Sequence, residues 1–413
     1  MRIEQLGPGL PAADVLRNLA RRAAADGLAP PAALIGDWFD SAAVLAPSVD
    51  VLEVPPADAF SAVSSPASGA PIVGGGWIGY LAYPDLSNVD ESPRRIPQAA
   101  GGWTDHVLRL DSHGCWWFES LLDEPCPAAL LNALTATPPA SSWSIDWQAP
   151  SRADHRAAVL DCLDNIAAGE IYQACVCTAY AGRAAGSAID FFADAVSQTS
   201  PSQAALIAGD WGAVASMSPE LFLRRRGAQV WSSPIKGTSP IDSDPALLRA
   251  SIKDVAENVM IVDLARNDLG RVAVPGSVTA TELLAIRPAP AVWHLVSTVT
   301  ARLRPEIDDA ALIDATFPPA SVTGTPKHRA RQLLAGWESS SRGIYCGAVG
   351  MVSPLAGLQL NVAIRTVEFD SLGGAVLGIG GGITSDSDPD AEWQECLDKA
   401  SSIVGLQRPD SRG

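Results

Sequence analysis

Two spacings of apolar residues organise this chain, one helical and one alternating. Residues 12–25 repeat apolar positions at three and four, which predicts a short amphipathic helix near the N-terminus. Further on, short apolar runs such as GGGWIGYLAYPDL and HVLRLDSHGCWWFESL are broken by glycine and proline, which predicts hairpins. The stretch ATPPASSWSIDWQAPSRADH, residues 136–155, is rich in proline and serine and marks a seam after the N-terminal third.

Beyond the seam, residues 152–168 read as a helix ended by Gly169, followed by a strand over 171–180. Residues 204–209, 212–217 and 220–233 read as strands. The strongest helical pattern spans 244–268, with Asp244 as N-cap, Pro245 at the first helical position, and Leu248, Ile252, Val255, Val259 and Val262 as its apolar stripe. Residues 343–383 read as three strands turned at 354–357 and 370–374. Connections that short make neighbouring strands antiparallel, because a parallel crossover needs a dozen or more residues. A last helix is expected to begin at Asp388–Pro389.

Composition narrows the class. The chain has 413 residues, 47% of them hydrophobic and 18% charged, which is globular usage with room for one large body or two domains. A formal charge of −17 argues against a broad nucleic-acid footprint, which needs a basic face. It leaves room for an anionic small substrate, since a few local cations dominate the field of a pocket. No apolar run approaches the ~20 residues of a membrane span, and the N-terminus lacks a signal-peptide core. Seven cysteines without a CxxC pair read as reduced, buried thiols in a cytoplasmic protein. Cys175 and Cys177, two apart in a strand, share a face. The tryptophans of the N-terminal third (Trp38, Trp77, Trp103, Trp116, Trp117 and Trp143) read as core.

Four features carry candidate chemistry. GIGGGI, residues 378–383, lacks the GxGxxG spacing of a dinucleotide site, yet glycines there let backbone N–H groups approach an anion. Asp254 and Glu257 lie three apart on one helix, and Glu392 and Glu395 repeat the spacing on another. Such pairs suit an oxygen-liganded Mg²⁺, although solvated helix faces and an i,i+4 bridge from Glu395 to Lys399 also account for them. In FPPASVTGTPK, Thr325 is a candidate N-cap and Lys327 flanks a helix N-terminus suited to an anion. In SSPIKGTSP, Lys236 interrupts an apolar segment directly before Gly237.

These segments, in this order, resemble the chorismate-utilising enzymes, and within them the aminodeoxychorismate synthase and anthranilate synthase large components. The likeness rests on GEIYQ, SPELF, PIKGT, AENVMIVDLARNDLGRV, HLVSTV, FPPASVTGTPK, YCGAVG, NVAIRT, GIGGGITSDSDP and EWQECLDKA. It covers about residues 150–402, and the N-terminal third matches loosely. The resemblance implies an α+β fold of two large, mostly antiparallel sheets packed as a sandwich with helices outside. It implies a catalytic domain over 150–405, to whose body residues 1–145 contribute, and residues 406–413 form a disordered tail. It also implies that Glu257 and Glu395 are Mg²⁺ carboxylates, with Asp254 and Glu392 beside them. Tyr345, Arg365, Lys399, Gly380 and Gly382 match positions that hold the enolpyruvyl carboxylate and its surroundings. His294 matches the family's active-site histidine, and Gly237 and Thr238 line the ring pocket.

Two positions separate the family's reactions. Water-adding members carry a lysine in the GEIYQ segment, where this chain has Gln173, which cannot act as a general base. Anthranilate synthases usually read PIAGT, whereas aminodeoxychorismate synthases read PIKGT, as here. The resemblance then implies that the Lys236 amine attacks C2 of chorismate, the C4 hydroxyl leaves, and ammonia displaces the lysine. The amine must be neutral to attack, which desolvation or nearby cations would favour. Glu220 matches the carboxylic acid that protonates the departing hydroxyl. No cysteine sits in a glutaminase-type nucleophile elbow, so the expected ammonia source is a separate glutamine amidotransferase subunit. Rival readings are an anthranilate synthase component and a non-catalytic chorismate- or amino-acid-sensing subunit. Ser239, Ala320, Thr325 and Cys175 depart from the residues common in the family.

Overall fold

The computed structural model describes residues 1–61, 72–86, 94–290 and 292–408, so residues 409–413 of the expected tail lie outside them. Among the described residues, the strands form two sheets, one of twelve strands and one of ten, with every neighbouring pair antiparallel. The strands Ala32–Trp38, Ser41–Ala46, Gln203–Gly209 and Gly212–Ser218 form the middle of the larger sheet. Their alternation explains the two-sheet body. Leu34, Val44, Ile207 and Val214 face Ile78, Tyr80, Val349 and Met351 of the other sheet. The intervening residues Ile35, Leu45, Leu206 and Ala215 pack outward against Leu16, Phe191 and Ala400 of three helices. Both faces of these strands are dry, and each such buried aliphatic side chain is worth about 1.5–3 kcal/mol.

The α+β sandwich with outer helices is therefore the observed fold. Strands from the N-terminal third belong to both sheets: Ala32–Trp38 pairs with Gln203–Gly209, and Gly76–Leu81 pairs with Ala348–Ser353. The proline- and serine-rich seam contains a strand of its own, Trp143–Gln148, paired with the distal half of Gln173–Gly186. Four of the six tryptophans (Trp38, Trp77, Trp116 and Trp143) are buried, while Trp103 is exposed. All seven cysteines are free, five of them buried, and Cys175 Sγ lies 3.9 Å from Cys177 Sγ. Among the described residues no helix is long and apolar enough to cross a membrane.

Three local expectations are corrected. The pattern over 244–268 is two helices, Ala246–Ala250 and Ile252–Gly270, separated by Ser251 in an extended conformation. The Ser251 hydroxyl accepts from Asp254 N and restarts the helix in a new phase. That turns Ile252 outward, 88% exposed, and leaves Val259 exposed; Leu248 and Val262 of the expected stripe stay buried, joined by Glu257, Asn258, Ile261 and Asp268. The segment 343–383 holds four strands rather than three: the hairpin Ala348–Ser353/Gly357–Val362 belongs to the smaller sheet, and Thr366–Asp370/Gly374–Ile383 to the larger. Thr325 does not cap a helix. It pairs with Gln173, and Pro326 takes the N-cap position of Lys327–Trp337.

Candidate active site

The glycines of GIGGGI form the end of a strand rather than a loop. Gly374–Ile383 runs antiparallel to Gln173–Gly186, which sets Gly382 opposite Cys175 and Gly380 opposite Cys177. Its pairing with Thr366–Asp370 stops at Leu377, so among the described residues no strand covers its other edge from Gly378 onward. The missing side chains matter there. A Cβ on Gly382 would lie 2.7 Å from Gln173 Nε2, 3.2 Å from Lys236 Nζ and 3.5 Å from Glu257 Oε2. Three polar side chains from three separate elements thus converge on one glycine, and that is possible only because it is a glycine.

Lys236 comes from the strand Ile235–Pro240 at the edge of the smaller sheet. Gly237 follows with φ +85°, in the left-handed region, and its Cα passes close to the Asp254 side chain. The charges acting on Lys236 include the carboxylates of Glu257 and Glu220. Gln173 is buried with neither its Oε1 nor its Nε2 hydrogen-bonded among the described residues. A carboxamide left in that state is expensive unless a ligand satisfies it.

The acidic pairs approach each other from two helices. Glu257, on Ile252–Gly270, is buried, and burial raises its carboxyl above the usual range despite Lys236 and Lys253 nearby. Glu392, on Pro389–Val404, is also buried, with Oε1 accepting from Ser387 Oγ at 2.6 Å and from Lys253 Nζ at 2.9 Å. Glu257 Oε1 and Glu392 Oε2 have no hydrogen-bond partner among the described residues. Glu395 points its carboxylate to Lys399 Nζ at 2.8 Å, and Lys399 also donates to Gly380 O at 2.9 Å. Asp254 stands apart from this group, against Gly237. Among the described residues no cluster of three or more acidic, histidine or cysteine groups is arranged to hold a metal. Two buried carboxylates with idle oxygens nevertheless fit a hard cation that completes its shell with water and substrate oxygens.

The opposite wall holds Glu220, Thr238, His294 and Arg365. Glu220 sits in the turn between Gly212–Ser218 and Leu221–Arg226, and burial pushes its carboxyl up to about 7 although Ser321, Lys236 and Lys399 oppose the shift. His294, on Val292–Arg302, is held by Thr238, whose Oγ1 lies 3.0 Å from Nδ1. Its Nε2 is unpartnered among the described residues. Burial, aided by Arg365, lowers its imidazole to about 4, so the ring is neutral at physiological pH. A cavity of about 850 Å³ is lined by Ile235, His294, Arg365 and Lys399, which is within the usual size for a small-molecule site. Tyr345 is buried with its ring against Gly378, one pleat removed from Gly380 and Gly382.

A model of the chorismate binding enzymes matches residues 42–405, most of the chain. The chain belongs to the chorismate binding enzymes. Among these it is 36% identical over 347 residues to aminodeoxychorismate synthase component 1 of Klebsiella aerogenes, covering 80% of this chain and 76% of that protein. It is 44% identical over 200 residues to the Salmonella typhimurium protein of the same name, covering 47% of this chain. The match spans only 44% of the Salmonella protein, less than half its length. Anthranilate synthase component I from Streptococcus pneumoniae superposes with a TM-score of 0.71 at 24% identity, covering 98% of this chain and 92% of that one. This last likeness shows the fold.

For a chorismate binding enzyme, the sequence motifs found most of the wall but not all of it. Ser321, which donates to Glu220, lies inside the FPPASVTGTPK stretch, but nothing in its spacing marks a partner 101 positions away. Lys253 immediately precedes Asp254 and lies outside every one of those motifs. Lys327 was expected at an anion site. Its Nζ instead donates to Asp268 Oδ2 at 2.6 Å and Thr316 O at 2.9 Å, so its charge is used inside the fold.

Proposed function

We propose that this chain is the large component of an aminodeoxychorismate synthase, converting chorismate and ammonia to 4-amino-4-deoxychorismate. The observation that carries the reading is the convergence of Lys236, Gln173 and Glu257 on Gly382. A nucleophilic amine reaches the site, while the neighbouring position holds a carboxamide that cannot activate water.

In this mechanism Arg365, Lys399 and the open glycine edge receive the carboxylates of the substrate, and the cations supply charge-assisted hydrogen bonds. The Lys236 amine forms a bond to C2, the ring double bonds shift, and the C4–O bond breaks. Glu220 delivers a proton to the departing oxygen, which leaves as water. Ammonia then bonds to C4, the double bonds shift back, and the C2–N bond to Lys236 breaks, restoring the free amine. Neutral His294, oriented by Thr238, presents Nε2 to the ring region without adding positive charge. Mg²⁺ would be held by Glu257 and Glu392, with Glu395 on the same helix as Glu392, and would neutralise the ring carboxylate and fix its orientation.

A glutamine amidotransferase on a separate chain supplies the ammonia in this reading, the product feeds para-aminobenzoate and folate synthesis, and the enzyme works in the cytoplasm. The decisive experiment incubates purified protein with chorismate, Mg²⁺ and ammonium and identifies the product. Aminodeoxychorismate supports the proposal. Anthranilate with pyruvate would instead make it an anthranilate synthase component.

A further inference from the structure

We propose that Ser321 is the positioning residue of Glu220: its hydroxyl holds Oε1, so that the transferable proton resides on Oε2. Ser321 Oγ donates to Glu220 Oε1 at 2.6 Å, and both residues are buried. The pair joins two distant parts of the fold. Glu220 is set by its backbone, with its N–H donating to Ser218 Oγ and its carbonyl accepting from Val362 N. Ser321 stands in the short helical turn Ala320–Val322. That turn is fixed by Arg342 Nη1 donating to Val322 O at 2.8 Å and by Thr323 Oγ1 donating to Pro319 O at 2.9 Å.

A hydroxyl has one proton to give. Donated to Oε1, it suits a carboxylate there, and it suits equally the carbonyl oxygen of an acid protonated on Oε2. A proton placed on Oε1 would leave two O–H groups facing each other. The bond is stronger to the charged form, so it restrains the rise that burial imposes. The other groups bearing on Glu220 are the Ile235 N–H, Lys236, Lys399 and Arg365. Asp268 lines the apolar pocket behind the pair, together with Leu223, Pro234 and Ile261, but its carboxylate is occupied by Lys327. Ser321 is thus the one side-chain hydroxyl bonded to this carboxyl among the described residues.

The inference rests on Glu220 acting as the acid, so its test begins with a measurement that needs no turnover. The protonated-carboxyl infrared band of Glu220, assigned by its loss in Glu220→Gln, is titrated in the substrate-free protein and in Ser321→Ala and Ser321→Thr. In Ser321→Ala the midpoint is expected to rise by about one pH unit and the band to broaden, since removing a hydrogen bond to a charged group costs on that order. Threonine, which keeps the hydroxyl, is expected to restore both. In steady-state amination, the alkaline limb of the kcat profile should move up with the band. At pH 7, where more of the acid is then protonated, kcat should nevertheless fall about tenfold because the proton is no longer confined to Oε2, while KM changes less than about threefold. An unchanged midpoint in Ser321→Ala, or a threonine variant that behaves like alanine, overturns the assignment. A shifted band in a protein that makes no aminodeoxychorismate would support the Ser321 role and overturn the proposed function instead.

Discussion

The ammonium of Lys253 lies 2.9 Å from Glu392 Oε1 and 4.0 Å from Glu257 Oε1, so one cation spans the two helices that carry the acidic pairs. Its side chain is 41% exposed, which leaves it free to swing into solvent. It occupies the place where a divalent cation would neutralise the same carboxylates.

Replacing Lys253 with methionine should therefore tighten Mg²⁺ binding, because the metal no longer displaces a resident charge. The expected change is about tenfold in Kd by calorimetry, with the metal-free protein melting lower and Mg²⁺ restoring the difference. An unchanged Kd would show that Lys253 does not compete for the site.

Lys236→Ala tests the covalent step. Amination should fall by at least about 100-fold while chorismate binding, measured by calorimetry, changes less than about threefold. Partial recovery at high ammonium is compatible with direct attack of ammonia at C4. Unchanged amination at low ammonium would remove the covalent role.

Gly382→Ala places a methyl group among Gln173 Nε2, Lys236 Nζ and Glu257 Oε2, at 2.7, 3.2 and 3.5 Å. The strand itself tolerates alanine, since Gly382 is not among the positive-φ glycines. The melting temperature should change by less than about 3 °C while kcat/KM falls by about 100-fold. A large loss of stability with full specific activity would mean that the three side chains do not meet in the working enzyme.

Glu220 should make stability fall with pH over a defined window. Its carboxyl titrates near 7 in the fold against 4.5 when free, so the folded state holds the proton longer than the unfolded one. A raised folded value contributes stability that is complete below pH 4.5 and lost progressively up to pH 7, on the order of 3 kcal/mol in all. Glu220→Gln cannot lose a proton there, so its melting temperature should rise relative to the parent between those pH values and run parallel above them. The parent's amination rate should decline above pH 7, as its acid loses the proton. A constant difference in melting temperature across the range would show that Glu220 is not buried as an acid.

Much of this site was legible in the chain because its parts are short, ordered motifs. PIKGT, SPELF and the two acidic helices supplied Lys236 and Glu220, with Glu257 and Glu395 as the expected metal carboxylates, before any geometry was known; the structure buries Glu392 beside Glu257 and pairs Glu395 with Lys399. The exceptions share a cause. Ser251 redirected a helix because a side-chain cap outweighed the apolar repeat, so Ile252 faces solvent while Glu257 and Asn258 are buried. Lys327 looked like an anion ligand because its partner, Asp268, is 59 positions distant.

Short apolar runs and the short turns between them by themselves determined the antiparallel hairpins, because a parallel crossover needs a longer connection. The candidate nucleophile was likewise written locally, in one lysine beside one glycine. What only the tertiary structure decided is which groups share a field: Lys253 between the acidic helices, Ser321 on Glu220, Thr238 on His294. Proton affinity and hydrogen-bond satisfaction depend on distances of a few ångströms between residues as much as 101 positions apart, and those distances exist only once the two sheets have packed.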